Sequence, residues 1–201
     1  MKSQNPTSSP LARRFAVLAT LVAVLAASVF SSAQATILTY TAVLDGASES
    51  PANASPATGF AQVDIDDVAM TMHLSVVFAG LQGNTTASHI HAATTVAGTG
   101  TAGVATTTPT FAGFPGGVTS GSYDNTLDLT LASSYNASFI TAHGGTTAGA
   151  AAFLLQSIAD GKAYLNIHTS MYGGGEIRGF LAPSATPTDA AAWGEVKALF
   201  R

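Results

Sequence analysis

The chain has no cysteine, which excludes disulfide staples, thiolate metal sites and thiol nucleophiles together. Charge is scarce as well, at 9% of 201 residues, and the basic residues are the fewer, seven against eleven acidic. Three of the seven, Lys2, Arg13 and Arg14, lie close to the N-terminus. Beyond residue 35 only Lys162, Arg178, Lys197 and Arg201 remain against all eleven acidic residues, a net charge of −7. A surface of that sign with no basic cluster argues against nucleic acid and against anionic lipid as partners. Long apolar runs are also few. Residues 15–30 form one, and no second run of membrane length follows.

That single run has the marks of an export signal. A basic lead-in precedes it, and Ser31-Ser32-Ala33-Gln34-Ala35 supplies an A-x-A cleavage site behind it. Residues 1–35 are therefore expected to be a secretory signal peptide. The mature chain would start at Thr36 and be periplasmic, cell-surface or secreted, with no membrane span after cleavage. Arg13-Arg14 is a twin-arginine pair, but its neighbours do not complete that export motif. Without disulfides, stability has to come from a core and from any bound metal. One domain is expected over 36–182, followed by a linker and short C-terminal helix over 183–201. Trp193, Val196 and Leu199 would line one side of that helix.

Period-two alternation dominates the middle of the chain. Residues 37–44, 61–66, 70–78, 87–92, 127–131, 163–168 and 176–181 read as strands. Asp66-Asp67 forms a turn, and the glycine-rich stretch 169–175 joins the last two strands into a hairpin. Residues 93–122 are crowded with Gly, Thr and Pro and read as long loops, with a short strand near 103–110. Within 133–161, residues 148–158 have the alanine content and spacing of a helix, stopped by Asp160-Gly161. Many short strands with one short helix predict an all-β, antiparallel Greek-key sandwich or barrel, immunoglobulin-like or Cu/Zn-superoxide-dismutase-like.

The alternation also sorts the histidines. In Ser88-His89-Ile90-His91, Ile90 points to the core, so His89 and His91 share the other face, roughly 6–7 Å apart. In Tyr164-Leu165-Asn166-Ile167-His168-Thr169, Leu165 and Ile167 are core, so Tyr164, Asn166 and His168 face outward. His89, His91 and His168 can thus form a three-histidine site, with Glu176 or His143 as a fourth ligand or supporting group. His73 sits on the polar face of a different strand. Thiol-free imidazole ligation suits copper or zinc. An H-x-H on a strand is also a common incidental pattern, and the same residues can be structural. Arg178 is expected to bond an acidic neighbour or loop carbonyls rather than a substrate.

The same segments carry a family resemblance. His89-Ile90-His91, the passage 153–161, and Tyr164-Leu165-Asn166-Ile167-His168-Thr169 with Gly174-Gly175-Glu176-Ile177-Arg178-Gly179 resemble the CHRD domain over residues 37–182. This module, named after chordin, also occurs in single-domain bacterial secreted proteins. Two positions depart from the family pattern: Gly173 where proline is usual, and Phe180 where a glutamine-like residue is usual. The resemblance implies a β-rich extracellular domain and no particular reaction. The histidine arrangement is similar to that of copper/zinc superoxide dismutase, a likeness of fold only, since the dismutase's fuller histidine set and bridging aspartate are not evident.

Other chemistry is thin. No nucleophile elbow is present, and the glycine clusters lack the strand-to-helix setting of a phosphate loop. Asp64, Asp66 and Asp67 make a solvated turn without the following glutamate of a calcium loop. The sequence points to an exported binding or structural module with a candidate copper or zinc site and an extracellular or periplasmic partner. Alternatives are a metalloenzyme with dismutase-like redox activity, or an adhesive protein without metal.

Overall fold

The computed structural model describes residues 36–184; the expected signal 1–35 and the expected helix near 190–200 lie outside them. Strands β1 (Ile37–Asp45), β2 (Thr58–Asp66) and β3 (Thr71–Ala79) form a meander. The alternation is the one expected: Met72, Leu74, Val76 and Phe78 of β3 are buried while Thr71, His73 and Ser75 are only partly so. Asp66 makes the β2–β3 turn, its carboxylate accepting the Val68 and Ala69 amides at 3.0 and 2.7 Å. Met70 belongs to this turn, with φ at 53°, and packs on the core from there.

The chain then crosses to the far edge. Strand β4 (Thr85–His91) pairs with β6 (Tyr164–Thr169), β6 with β7 (Ile177–Phe180), and β7 with β1. Strand β5 (Gly121–Asp128) lies beside β3, and the two-residue β8 (Ala182–Pro183) pairs with β1. The order is β4-β6-β7-β1-β2-β3-β5, with every pairing antiparallel. The expected antiparallel all-β class is thus observed, as one eight-stranded sheet curled into a half-barrel.

Four local expectations change. The strand expected over 127–131 is β5, which ends at Asp128. There the carboxylate accepts the Thr130 amide at 2.8 Å, and Leu129–Leu131 turns away. Two helices, Ala137–Ala142 and Thr147–Ala159, occupy the interval where one was expected. Asn136 and Thr146 cap them, each accepting a first-turn amide. Residues 103–110 contribute isolated bridges at Val104 and Thr106 rather than a strand. Pro183, expected to open the linker, pairs with Tyr40 instead.

The core fills the concave side. Leu44, Ile65, Met72, Leu74, Ile90, Leu165, Ile167 and Ile177 are fully buried from the sheet. Leu154 and Ile158 come down from the longer helix, and Phe111 from the long loop. Each such side chain contributes about 1.5–3 kcal/mol, enough to hold a domain without staples. The same loop covers the exposed edge of β4. Ala105 and Phe111 donate their amides to the Ile90 and Ser88 carbonyls, and Ile90 donates to the Thr106 hydroxyl. An open edge strand is thereby closed, and the loop is fixed over the face that carries the histidines.

Candidate metal centre

Register brings the three histidines together. His89 pairs with Asn166 and His91 with Tyr164 across β4–β6, and His168 follows two residues after Asn166. The ring centroids lie 5.7 Å apart for His89–His91, 5.3 Å for His89–His168 and 5.7 Å for His91–His168. One nitrogen from each ring lies within 4.8 Å of the other two. A tetrahedral ion with bonds of about 2.1 Å holds its ligands about 3.4 Å apart. The rings therefore need to tilt inward by roughly 1 Å to share one ion.

The loops fix how each ring is protonated. His89 Nε2 meets the Pro109 carbonyl at 2.5 Å, His91 Nδ1 the Ala102 carbonyl at 3.0 Å, and His168 Nδ1 the Gly173 carbonyl at 3.0 Å. A carbonyl can only accept, so each of these nitrogens carries the proton and donates. The opposite nitrogens, His89 Nδ1, His91 Nε2 and His168 Nε2, are buried and have no partner. Burial lowers the proton affinity of all three rings below the ordinary 6.5, and His91 falls to about 4. The carbonyl bonds oppose that shift without reversing it. Near neutral pH the site holds three uncharged imidazoles, each oriented by one carbonyl and offering one lone pair, the tautomer control typical of metal-binding histidines.

A stack of side chains braces His91. Its ring lies on Tyr164 with centroids 4.8 Å apart and an interplanar angle of 3°. The Arg178 guanidinium lies 4.7 Å from the Tyr164 centroid. Arg178 also donates to the Ser48 carbonyl at 2.5 Å and the Gly100 carbonyl at 2.9 Å, tying two loops to β7. Its Nε lies 3.8 Å from Glu49. Burial dominates at Glu49 and pushes its carboxyl up to about 7 despite that cation. Arg178 thus bonds loop carbonyls and faces an acidic neighbour, the role expected of it. Nothing in the sequence marks Glu49, Ala102 or Pro109, because their part depends on how the loops fold back.

The two further candidates stand apart from this trio. The Glu176 carboxylate accepts from the Gln82 amide (2.6 Å), the Ser55 hydroxyl (2.7 Å), the Gly83 amide (3.1 Å) and the Thr169 hydroxyl (2.7 Å). Burial alone would raise its pKa, but these four donors win and lower it. Glu176 precedes β7, so strand parity does not govern it. Its carboxylate meets Thr169, which has the parity of core residues Leu165 and Ile167. His143 closes the helix Ala137–Ala142 and stacks on Phe153, centroids 3.7 Å apart, with Phe139 at its edge. His73, on β3, lies against Asp124 at 3.2 Å and Asp64 at 3.7 Å.

Two glycines of the Gly174–Gly179 segment are required by close approach. At Gly175, with φ at 131°, an added Cβ would fall 2.5 Å from Glu49 Oε1 and 2.6 Å from Asn166 Oδ1. At Gly179 it would fall 2.2 Å from the Val43 carbonyl.

Fold and site together define an antiparallel half-barrel with a loop-covered polar face. Within that class the chain belongs to the CHRD domain family, whose model matches residues 40–181. No curated protein and no solved structure matches the chain.

Proposed function

We propose that this is an exported CHRD module that binds or scaffolds outside the cytoplasm and holds a copper or zinc ion on His89, His91 and His168. One observation carries the reading: three imidazoles, two buried and one half-buried, each donate one nitrogen to a carbonyl and leave the other, buried one without a partner. A buried polar atom without a partner is costly. Three of them on neighbouring rings are accounted for by an ion that accepts all three lone pairs. Export rests on the basic, apolar and A-x-A segments of residues 1–35. Binding is favoured over turnover because the three free nitrogens each have less than 1 Å² of accessible surface. That leaves little room for a substrate to reach the ion.

The test is metal content. The protein is recovered from an export compartment and its copper and zinc measured beside His89→Ala and His168→Ala. One ion per chain in the wild type, lost in both variants, is the expected result. Substoichiometric metal that neither substitution changes would remove the proposal. A stoichiometric ion with superoxide or peroxide turnover would favour the enzymatic alternative.

A further inference from the structure

The ligand set narrows the ion further than the residue types do. All three donors are imidazoles with one ring nitrogen tied to a backbone carbonyl and the other buried without a partner. The described residues offer no carboxylate to join them: the group of convergent ligand atoms contains the three histidines alone. Glu176 is held by four donors, and Glu49 lies against Arg178. A cation, Arg178, lies one ring away from His91 through Tyr164. Water is also short, since each free nitrogen has less than 1 Å² of accessible surface.

These conditions treat ions unequally. A divalent zinc on three histidines normally completes its shell with water or hydroxide, which supplies both the fourth ligand and part of the missing negative charge. Cupric copper prefers four or more ligands near a plane. Neither arrangement is met by three converging nitrogens in a dry recess. A monovalent ion is satisfied by three donors. Its charging cost in a low-dielectric site is also about fourfold smaller than a dication's, because that cost grows with the square of the charge.

We infer that the His89/His91/His168 site takes copper in its monovalent state, three-coordinate, in preference to zinc or cupric copper. The inference rests on the proposed function, in that it takes the three histidines to be ligands.

The experiment titrates the metal-free full chain, without oxygen, against the Cu(I)–bicinchoninate complex, then repeats the titration with equimolar zinc present. The wild type should withdraw one Cu(I) per chain and retain it at least about tenfold more tightly than zinc. The bound copper should give no paramagnetic resonance signal, and its X-ray absorption should report three nitrogen neighbours. His168→Asp adds an anion at the same position and should move the copper-to-zinc preference at least about tenfold toward zinc, with circular dichroism checking that it folds. The wild-type titration stands alone if that variant does not fold. A wild-type preference for zinc, or displacement of the bound Cu(I) by added Cu(II) that then gives a paramagnetic signal, would overturn this inference while leaving a metal site in place. A folded wild type that takes up none of these ions would overturn the proposed function along with it.

Discussion

The Glu176 carboxylate and the three imidazoles lie beside the same β6–β7 hairpin, yet their polar atoms are treated in opposite ways. Both oxygens of Glu176 are satisfied, each by one backbone amide and one hydroxyl. The imidazoles are half satisfied, and the unsatisfied half of each is buried. A closed network joins the Ser55 loop, the Gln82–Gly83 turn and β6, so its energy goes into holding segments together. An open set of lone pairs holds nothing together by itself and calls for an occupant. The two sets look alike in the sequence, and it is the accounting of donors and acceptors that separates them.

Removing the closed network should have the largest effect. Glu176→Ala leaves the Gln82 and Gly83 amides without their acceptor and should destabilise the domain by about 3–5 kcal/mol. Denaturant unfolding measures it. The fraction that remains folded should keep its metal stoichiometry. A loss of stability under 1 kcal/mol, or loss of metal from folded protein, would remove the contrast between the two clusters.

Filling the open set should come next. An ion at a hundredfold its dissociation constant adds about 2.7 kcal/mol to stability when it binds only the folded chain. The wild type should show that gain as a rise in melting temperature with added metal, and His168→Ala should show none. An equal gain in the variant would place the ion elsewhere.

Much of the contrast was legible early, and the rest was hidden for identifiable reasons. Strand parity alone brought His89, His91 and His168 to one face, because Ile90, Leu165 and Ile167 are core and side chains alternate. Parity cannot place Glu176, a candidate fourth ligand, which lies one residue before β7, where the backbone at Gly175 has turned away from strand geometry. Alternation misled at Leu129 and Leu131, whose spacing about Thr130 imitates a strand while Asp128 folds the chain into a turn. The carbonyls of Ala102, Pro109 and Gly173 carry no side-chain signature. Which nitrogen of each histidine is free could be read only once the loops were in place.

Proton binding next sets the imidazoles against a neighbouring carboxyl, Glu49. Unfolded imidazoles titrate near 6.5, and in the folded chain His89, His91 and His168 all bind protons less readily, His91 only near 4. Their contribution to stability is thus complete above pH 6.5 and is lost as pH falls below it, for His91 toward 4. Glu49 runs the other way. Its pKa rises from 4.5 to about 7, so its contribution is present below pH 4.5 and lost as pH rises to 7. Three groups against one should make the metal-free protein more stable at pH 6.5 than at pH 4.5. Each group adds at most about 1.4 kcal/mol per pH unit to the slope. Glu49→Gln removes the opposing contribution and should steepen the rise. Equal stability at the two pH values in the wild type would mean that the histidines are not buried as neutral rings.

The smallest effect should come from the turn that serves both clusters, and it depends on which glycine is changed. Gly173 donates nothing that a methyl group would disturb: an added Cβ meets no atom within 4 Å, and its carbonyl remains free to hold His168. Gly173→Ala should therefore be neutral or stabilise by about 0.4–1 kcal/mol, by restricting the unfolded chain. Gly175→Ala, two residues on, has no such space beside Glu49 and Asn166 and should destabilise. Comparing the two melting temperatures tests whether the turn is held by contact at Gly175 rather than by glycine's freedom at every position. Equal losses at both would show that the whole turn requires glycine, and that the carbonyl orienting His168 depends on backbone freedom rather than on packing.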